Sequence, residues 1–197
     1  MTEDFRSGRL SFLQKFYELN QKLYSYNAGL TLNHPDGSKW YQWPLGRKPV
    51  IYWTENSERG SAHIYLTVNP VNGWLTLVGV AGMLGLLAQT ARRQLSYLHR
   101  SHYLLIATGY FFNLALFSSV GRVTFLYHYL PSLIMGLVGA AVFADHLLSK
   151  RYEWNRIGLT QLMIAVIIGF ILTIPVIYGV GVSGLTLRIV EKVVVGL

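Results

Sequence analysis

IGLTQLMIAVIIGFILTIPVIYGVGV, residues 157–182, contains no Asp, Glu, Lys or Arg. A helix needs about 20 apolar residues to cross a hydrocarbon core about 30 Å thick, and this run supplies them without interruption. Working back along the chain, three further apolar runs fall at roughly 123–148, 103–120 and 71–90, separated by short charged loops. In a chain of 197 residues, 52% hydrophobic and with a mean hydropathy of +0.34, such runs exclude an ordinary soluble domain. They lack the alternation of barrel strands, and in lipid only helices or closed barrels satisfy every backbone group. The expected fold is therefore an all-α polytopic membrane protein with four transmembrane helices.

The net charge of +8 comes from basic residues in loops and in the N-terminal segment that form neither an arm nor a reading helix, so no nucleic acid is expected. They read as solvated charge flanking the membrane, with anionic headgroups or a phosphate substrate as the alternative. Cysteine is absent, which removes disulfides, a thiolate nucleophile and Cys-based metal sites. His99-x-x-His102 stands in a basic loop without a nearby carboxylate, and no metal is expected there.

Loops 91–102 and 149–156 share one side of the membrane and carry Arg92, Arg93, Arg100, Lys150, Arg151 and Arg156. The other side has Arg122, Arg188 and Lys192. The excess of positive charge in short loops makes the first side cytoplasmic, which places residues 1–68, Arg122 and the 183–197 tail outside it. Residues 1–68 do not open with a signal peptide, so either the orientation is the reverse or, as preferred, upstream transmembrane helices of the same protein or a partner subunit deliver them.

Three parts are expected: 1–68, the membrane helices within 69–182, and the tail. From Ser11 to Gly29, Phe12, Phe16, Leu19, Leu23 and Tyr26/Asn27 recur at helical spacing, with Lys15, Glu18 and Lys22 opposite them. Ser11 and Gln14 read as a capping box, Glu18 and Lys22 as an i,i+4 pair, and Gly29 as the stop. The resulting helix either packs on the protein or lies in the interface plane. Residues 33–53, NHPDGSKWYQWPLGRKPVIYW, hold too many Pro and Gly for a long regular element. Trp40, Tyr41, Trp43, Tyr52 and Trp53 make them an ordered aromatic loop rather than a linker, either part of the interfacial belt or a platform for a sugar or extended peptide. Residues 62–68 could form a short strand before Asn69-Pro70 turns the chain into the first membrane helix.

SFLQKFYELNQKLYSYNAGLTLNHPDGSKWYQWPL (11–45), RKPVIYW (47–53), VNP (68–70) and the segment from RVTFLYHYLP (122–131) onward together resemble the C-terminal four-helix region of the protein O-mannosyltransferases. These are dolichyl-phosphate-mannose-dependent enzymes of the GT-C class, and the resemblance covers nearly all of residues 8–182. The family's His-Pro-Tyr is His34-Pro35-Asp36 here, its Gly-Asn-Pro is Val68-Asn69-Pro70, and its paired tryptophans are reduced to Gly73-Trp74. Its Asp-Glu pair has no counterpart, since no helix precedes Glu3-Asp4.

The resemblance implies inverting transfer of mannose from a polyprenyl (dolichyl) phosphate to Ser/Thr hydroxyls of an acceptor protein, with no cofactor beyond that lipid-linked donor. Such a reaction needs a carboxylate to take the hydroxyl proton and cations to hold the leaving phosphate. The carboxylate is expected on upstream helices of the same enzyme, so no catalytic residue is assigned to this chain. Arg122 is the first candidate for the lipid phosphate, because guanidinium binds phosphate oxygens bidentately. With a helix starting at Arg122, Phe125 and Tyr129 share its face, His128 lies at the edge roughly 9 Å deeper, and Pro131 kinks the helix. Tyr129, His128, His34, Trp40, Trp43 and Arg47 complete the candidate substrate-binding set. The expected site is a bacterial cell membrane, with the endoplasmic reticulum as alternative. A rival reading is a noncatalytic membrane subunit that keeps the fold and the headgroup contacts.

Overall fold

The structure, a computed structural model, describes residues 10–29, 34–57, 60–92, 97–148, 152–181 and, in the tail, 185, 188, 189, 191 and 192. Glu3, Asp4, Arg93, Lys150 and Arg151 lie outside the described residues, as do the side chains of His99 and Arg156. The chain divides into two units: residues Met1–Pro35 with Val120–Val123, and residues Asp36–Ser119 with Thr124–Leu197.

The first unit is built on α1, Phe12–Ala28. Its start is as the sequence predicts: Ser11 Oγ accepts the Gln14 N–H, and the Gln14 side chain returns to the Ser11 N–H at 2.9 Å. Lys22 pairs with Glu18 at 2.9 Å, and Gly29 closes the helix by donating to the Ser25 carbonyl. Phe12, Phe16, Leu19 and Leu23 are all exposed.

In the second unit the aromatic segment comes first. Trp40–Leu45 forms a 3-10 turn that ends at Gly46, whose φ of 64° is a left-handed conformation suited to glycine. Lys48 also has a positive φ, 60°, which is rare for a residue with a Cβ. The chain then runs through β1, Val50–Ser57, and back through β2, Gly60–Leu66, as an antiparallel hairpin. Among the described residues the fold is thus helical with one hairpin, not all-α. The expected strand at 62–68 exists slightly earlier, and its partner lies where a loop was expected. The prolines stop at Pro49, where Pro can open a strand, and Val50–Thr54 is a β-branched and aromatic run that suits one. A bulge between Ile51 and Trp53 breaks the alternation there, so Tyr52 and Trp53 are both exposed.

Four long helices follow: α2 Pro70–Ala91, α3 Tyr97–Ser118, α4 Leu130–Leu148 and α5 Tyr152–Ile177. Among the described residues, Pro70–Ala91, Leu126–Leu147 and Ile157–Ile177 are long and apolar enough to cross a membrane. The second run forms α3, which starts six residues before 103 and so takes Arg100 and His102 from the expected loop into its first turns.

The third run departs most from expectation. Residues 119–125 are not helical, Leu126–Tyr129 is a 3-10 turn, and α4 begins only at Leu130. Arg122 therefore starts no helix, and the shared face and the 9 Å depth difference do not apply. Pro131 falls in the first turn of α4, where a missing N–H costs nothing, so no kink is produced. The Tyr127 carbonyl is not orphaned either, because the Leu130 N–H donates to it.

Helices α2 and α4 touch through glycine. A Cβ on Gly79 would stand 2.4 Å from the Ala140 nitrogen, and one on Gly136 would stand 2.1 Å from the Thr76 side chain. Gly82 lies against Phe143 and Gly139 against Met83, as expected for small residues between membrane helices; Gly85 has nothing within 4 Å. Tyr103, Ala107, Tyr110 and Leu114 form the buried stripe of α3, and Asn113 bonds across to the His128 carbonyl and Ser132 Oγ, each at 3.0 Å.

Helix α5 is held differently. Asn69 caps α2 by accepting from the Val71 N–H at 2.9 Å, and its Nδ2 donates to the Val166 carbonyl of α5 at 3.1 Å. Gly169 makes room for that amide, since its Cβ would lie 2.6 Å from Asn69 Oδ1. Strand β2 packs along the following turns, where Gly169, Thr173 and Val176 are buried. From Ile157 to Gln161 α5 is exposed.

Candidate functional site

Arg122 belongs to the first unit, and there α1 positions it. The Asn27 amide turns back to donate to the Leu23 carbonyl at 2.7 Å, which aims its Oδ1 outward to accept from Arg122 Nη1. The guanidinium is half-buried and anchored by a neutral amide. The ion pairs among the described residues are Glu18–Lys22 and His63–Glu191, so Arg122 has no carboxylate partner among them. Its remaining donors suit an anionic ligand. His34, in the same unit, is exposed.

The other candidates lie in the second unit and fall into two groups. Trp43 is fully buried, and its indole Nε1–H donates to Ser38 Oγ at 2.8 Å. Its ring stacks on His128 at 6.0 Å and meets the edge of Phe117 at 5.3 Å. It cannot offer a face to a sugar, because protein covers both sides. Ser38 is locked in turn: its N–H donates to the Thr124 carbonyl at 2.8 Å, and its carbonyl accepts from Thr124 Oγ1 at 2.5 Å. His128 Nδ1 is 3.2 Å from the Phe125 N–H nitrogen and 3.0 Å from the Phe125 carbonyl, with Phe117 and Tyr127 packed around the ring. Tyr129 is buried, with its hydroxyl 3.3 Å from that of Tyr110. Trp43, His128 and Tyr129 thus join the aromatic segment to the start of α4. Trp40 and Arg47 stay accessible: Trp40 meets Tyr41 edge-on at 5.8 Å, and Arg47 follows the left-handed Gly46 beside exposed Lys48.

Sequence reasoning missed a polar cluster on the hairpin. Glu191 Oε1 accepts from the Tyr65 hydroxyl at 2.8 Å and lies 2.8 Å from His63 Nδ1. His63 and Tyr65 alternate on one strand face, which was the available signal, but nothing in the sequence links them to a residue more than a hundred positions away. Asn27 and Asn113 were missed as well, although an amide inside an apolar run such as 103–120 is itself a marker.

The long apolar helices define a polytopic membrane protein. A family model described as the C-terminal four TMM region of protein-O-mannosyltransferase matches residues 12–188, and the chain belongs to that family. It is 32% identical over 148 residues, 68% of the chain, to dolichyl-phosphate-mannose–protein mannosyltransferase 4 of Schizosaccharomyces pombe, and the match covers 18% of that protein. Protein O-mannosyltransferase 1 of Drosophila melanogaster is 28% identical over 75% of the chain and 18% of its own length. The chain thus spans about a fifth of the length of the curated relatives it matches. Among solved structures, the S. cerevisiae protein O-mannosyltransferase Pmt1-Pmt2 complex bound to the sugar donor shares the fold, with a TM-score of 0.75 at 22% identity over 92% of this chain and 26% of that one.

Proposed function

We propose that this chain forms the C-terminal four-span region of a membrane enzyme that moves mannose from polyprenyl (dolichyl) phosphate to Ser/Thr hydroxyls of proteins. The observation that carries the reading is the family match over residues 12–188. Helix α3 is the fourth span: beyond Arg100 and His102 its outward face is Leu104, Leu105, Phe111, Phe112 and Leu116, all exposed and apolar. The exposed apolar face of α1 supports a place in the interface plane, and the charge of the loops around Arg92 and Arg156 supports a cytoplasmic side for them, with 1–68 and the tail opposite.

In the reaction the acceptor oxygen bonds to the anomeric carbon as the bond from that carbon to the phosphate oxygen breaks. The hydroxyl proton goes to a carboxylate and the polyprenyl phosphate departs. The carboxylate is assigned to the part of the enzyme that carries the family's Asp-Glu pair. The role of this chain is electrostatic, with Arg122 holding the phosphate by a fork that Asn27 orients. Within the second unit, Arg47 is an accessible cation and Trp40 an accessible aromatic face for an acceptor; in the first, His34 is a further candidate contact.

Mannosyl transfer to a Ser/Thr peptide, measured in membranes with the full-length enzyme, tests the assignment. Arg122→Lys keeps the charge and loses the fork, and it is expected to raise the donor KM about tenfold or more, the worth of one charge-assisted hydrogen bond. An unchanged donor KM and turnover would remove Arg122 from the site.

A further inference from the structure

The base of the hairpin raises a question of depth. One end of the bundle is marked by polar residues: Arg100 near the start of α3 and Asp145 near the end of α4, both exposed. Contacts of Gly109 with Met135 and of Gly139 with Ile106 set α3 and α4 side by side with these two residues near the same level. From Asp145 back to Leu130, the first residue of α4, is roughly 22 Å at 1.5 Å per residue, short of a hydrocarbon core of about 30 Å. The apolar layer must therefore continue past the start of α4.

Helix α5 points the same way. Asn69, at the mouth of α2, touches α5 at Val166 and Gly169, yet α5 stays apolar to Ile177, roughly 12–16 Å further on. Over that stretch its partner is the hairpin, with β2 packed on it and Ile64 and Trp53 meeting Gly179 just beyond its end. The outward residues of both elements match. On α5 they are Phe170, Ile171 and Leu172; on β1 they are Ile51, Tyr52 and Trp53, exposed by 40, 61 and 43%. Polar residues, Thr54, Glu55 and Asn56, follow only above them. The outward N–H of Ile51 donates to Asp36 Oδ2 at 3.2 Å, in an exposed bond.

We propose that the lower half of the hairpin, Val50–Trp53 with Ile64–Leu66, is immersed in the bilayer leaflet that the C-terminal end of α5 enters. Ile51, Tyr52 and Trp53 face phospholipid, continuing the lipid-facing surface of α5. The aromatic pair takes the acyl-to-headgroup boundary, and Glu55 stands in water. Arg47 and Lys48, exposed before the hairpin, reach the headgroups along their flexible stems.

The chain contains no cysteine, so single thiols can be placed at will. Tyr52→Cys, Ile51→Cys and Glu55→Cys, each labelled with an environment-sensitive fluorophore, are compared in the chain in its membrane and in phosphatidylcholine nanodiscs. The labels at 51 and 52 are expected to be quenched by phosphatidylcholine spin-labelled near the top of its acyl chain, and to be about threefold or more less accessible to iodide than the label at 55. Iodide access at 51 and 52 equal to that at 55 would overturn the proposal. Shielding from both quenchers would overturn it too, because protein and not lipid would then cover the face.

Discussion

Helices α2 and α4 and helix α5 are joined to the same unit by opposite means. The first two touch at close range, with Gly79 against the backbone of Gly136 and Ala140 and Gly136 against the Thr76 side chain. Helix α5 is tied by a capping asparagine and a hairpin over its C-terminal half, and from Ile157 to Gln161 it is exposed. Between membrane helices no hydrophobic effect favours contact over lipid, so association needs either close packing across small residues or polar groups that find partners. This unit uses one device for each contact. The glycine contact tolerates no added volume, whereas the polar tie depends on its hydrogen bonds and on the space that Gly169 leaves for the Asn69 amide.

The largest expected effect comes from breaking the first device. Gly79→Val drives a side chain into the α4 backbone and should cost about 3 kcal/mol or more, seen as loss of the folded species in detergent thermal melts. Breaking the second costs less. Asn69→Ala removes a helix cap and an interhelical hydrogen bond, for about 2 kcal/mol together, with faster amide exchange in α5 beyond Val166. Asn69→Asp keeps the cap acceptor and lacks the amide donor, so it should recover thermal stability more than α5 protection.

Tyr65→Phe sharpens the role of the hairpin. It removes the donor to Glu191, for about 1 kcal/mol, and should speed limited proteolysis of the tail. The smallest effect belongs to Gly85→Ala, whose Cβ meets nothing within 4 Å: a change within about 0.5 kcal/mol is expected, despite the same helix and the same residue type as Gly79.

Gly79 and Gly85 show where reading the sequence stops. Both stand six residues apart in the same apolar run, and only the path of α4 separates them. In the candidate site, Arg122 was legible as a cation beside an apolar run, but its anchor on Asn27 was not, because that bond joins residues 95 positions apart. Trp43 and Trp40 read alike as aromatic residues three apart in one segment; the 3-10 turn buries one and exposes the other. The expected helix from Arg122 failed because apolarity marks what lies in lipid, not what is helical, and RVTFLYHY is satisfied by bonds to Ser38 and by a 3-10 turn instead.

The sequence by itself determined that the chain belongs in a membrane, that a capped helix precedes the apolar runs, and which family carries its ordered motifs. These follow from composition, from spacing within a few residues and from local capping, all of which are written along the chain. Only the tertiary structure decided that α4 starts eight residues after Arg122, that Val50–Ser57 pairs with Gly60–Leu66, and that α5 hangs on Asn69 and the hairpin. Each of those depends on which distant groups satisfy a backbone N–H or carbonyl, and no local pattern names the partner.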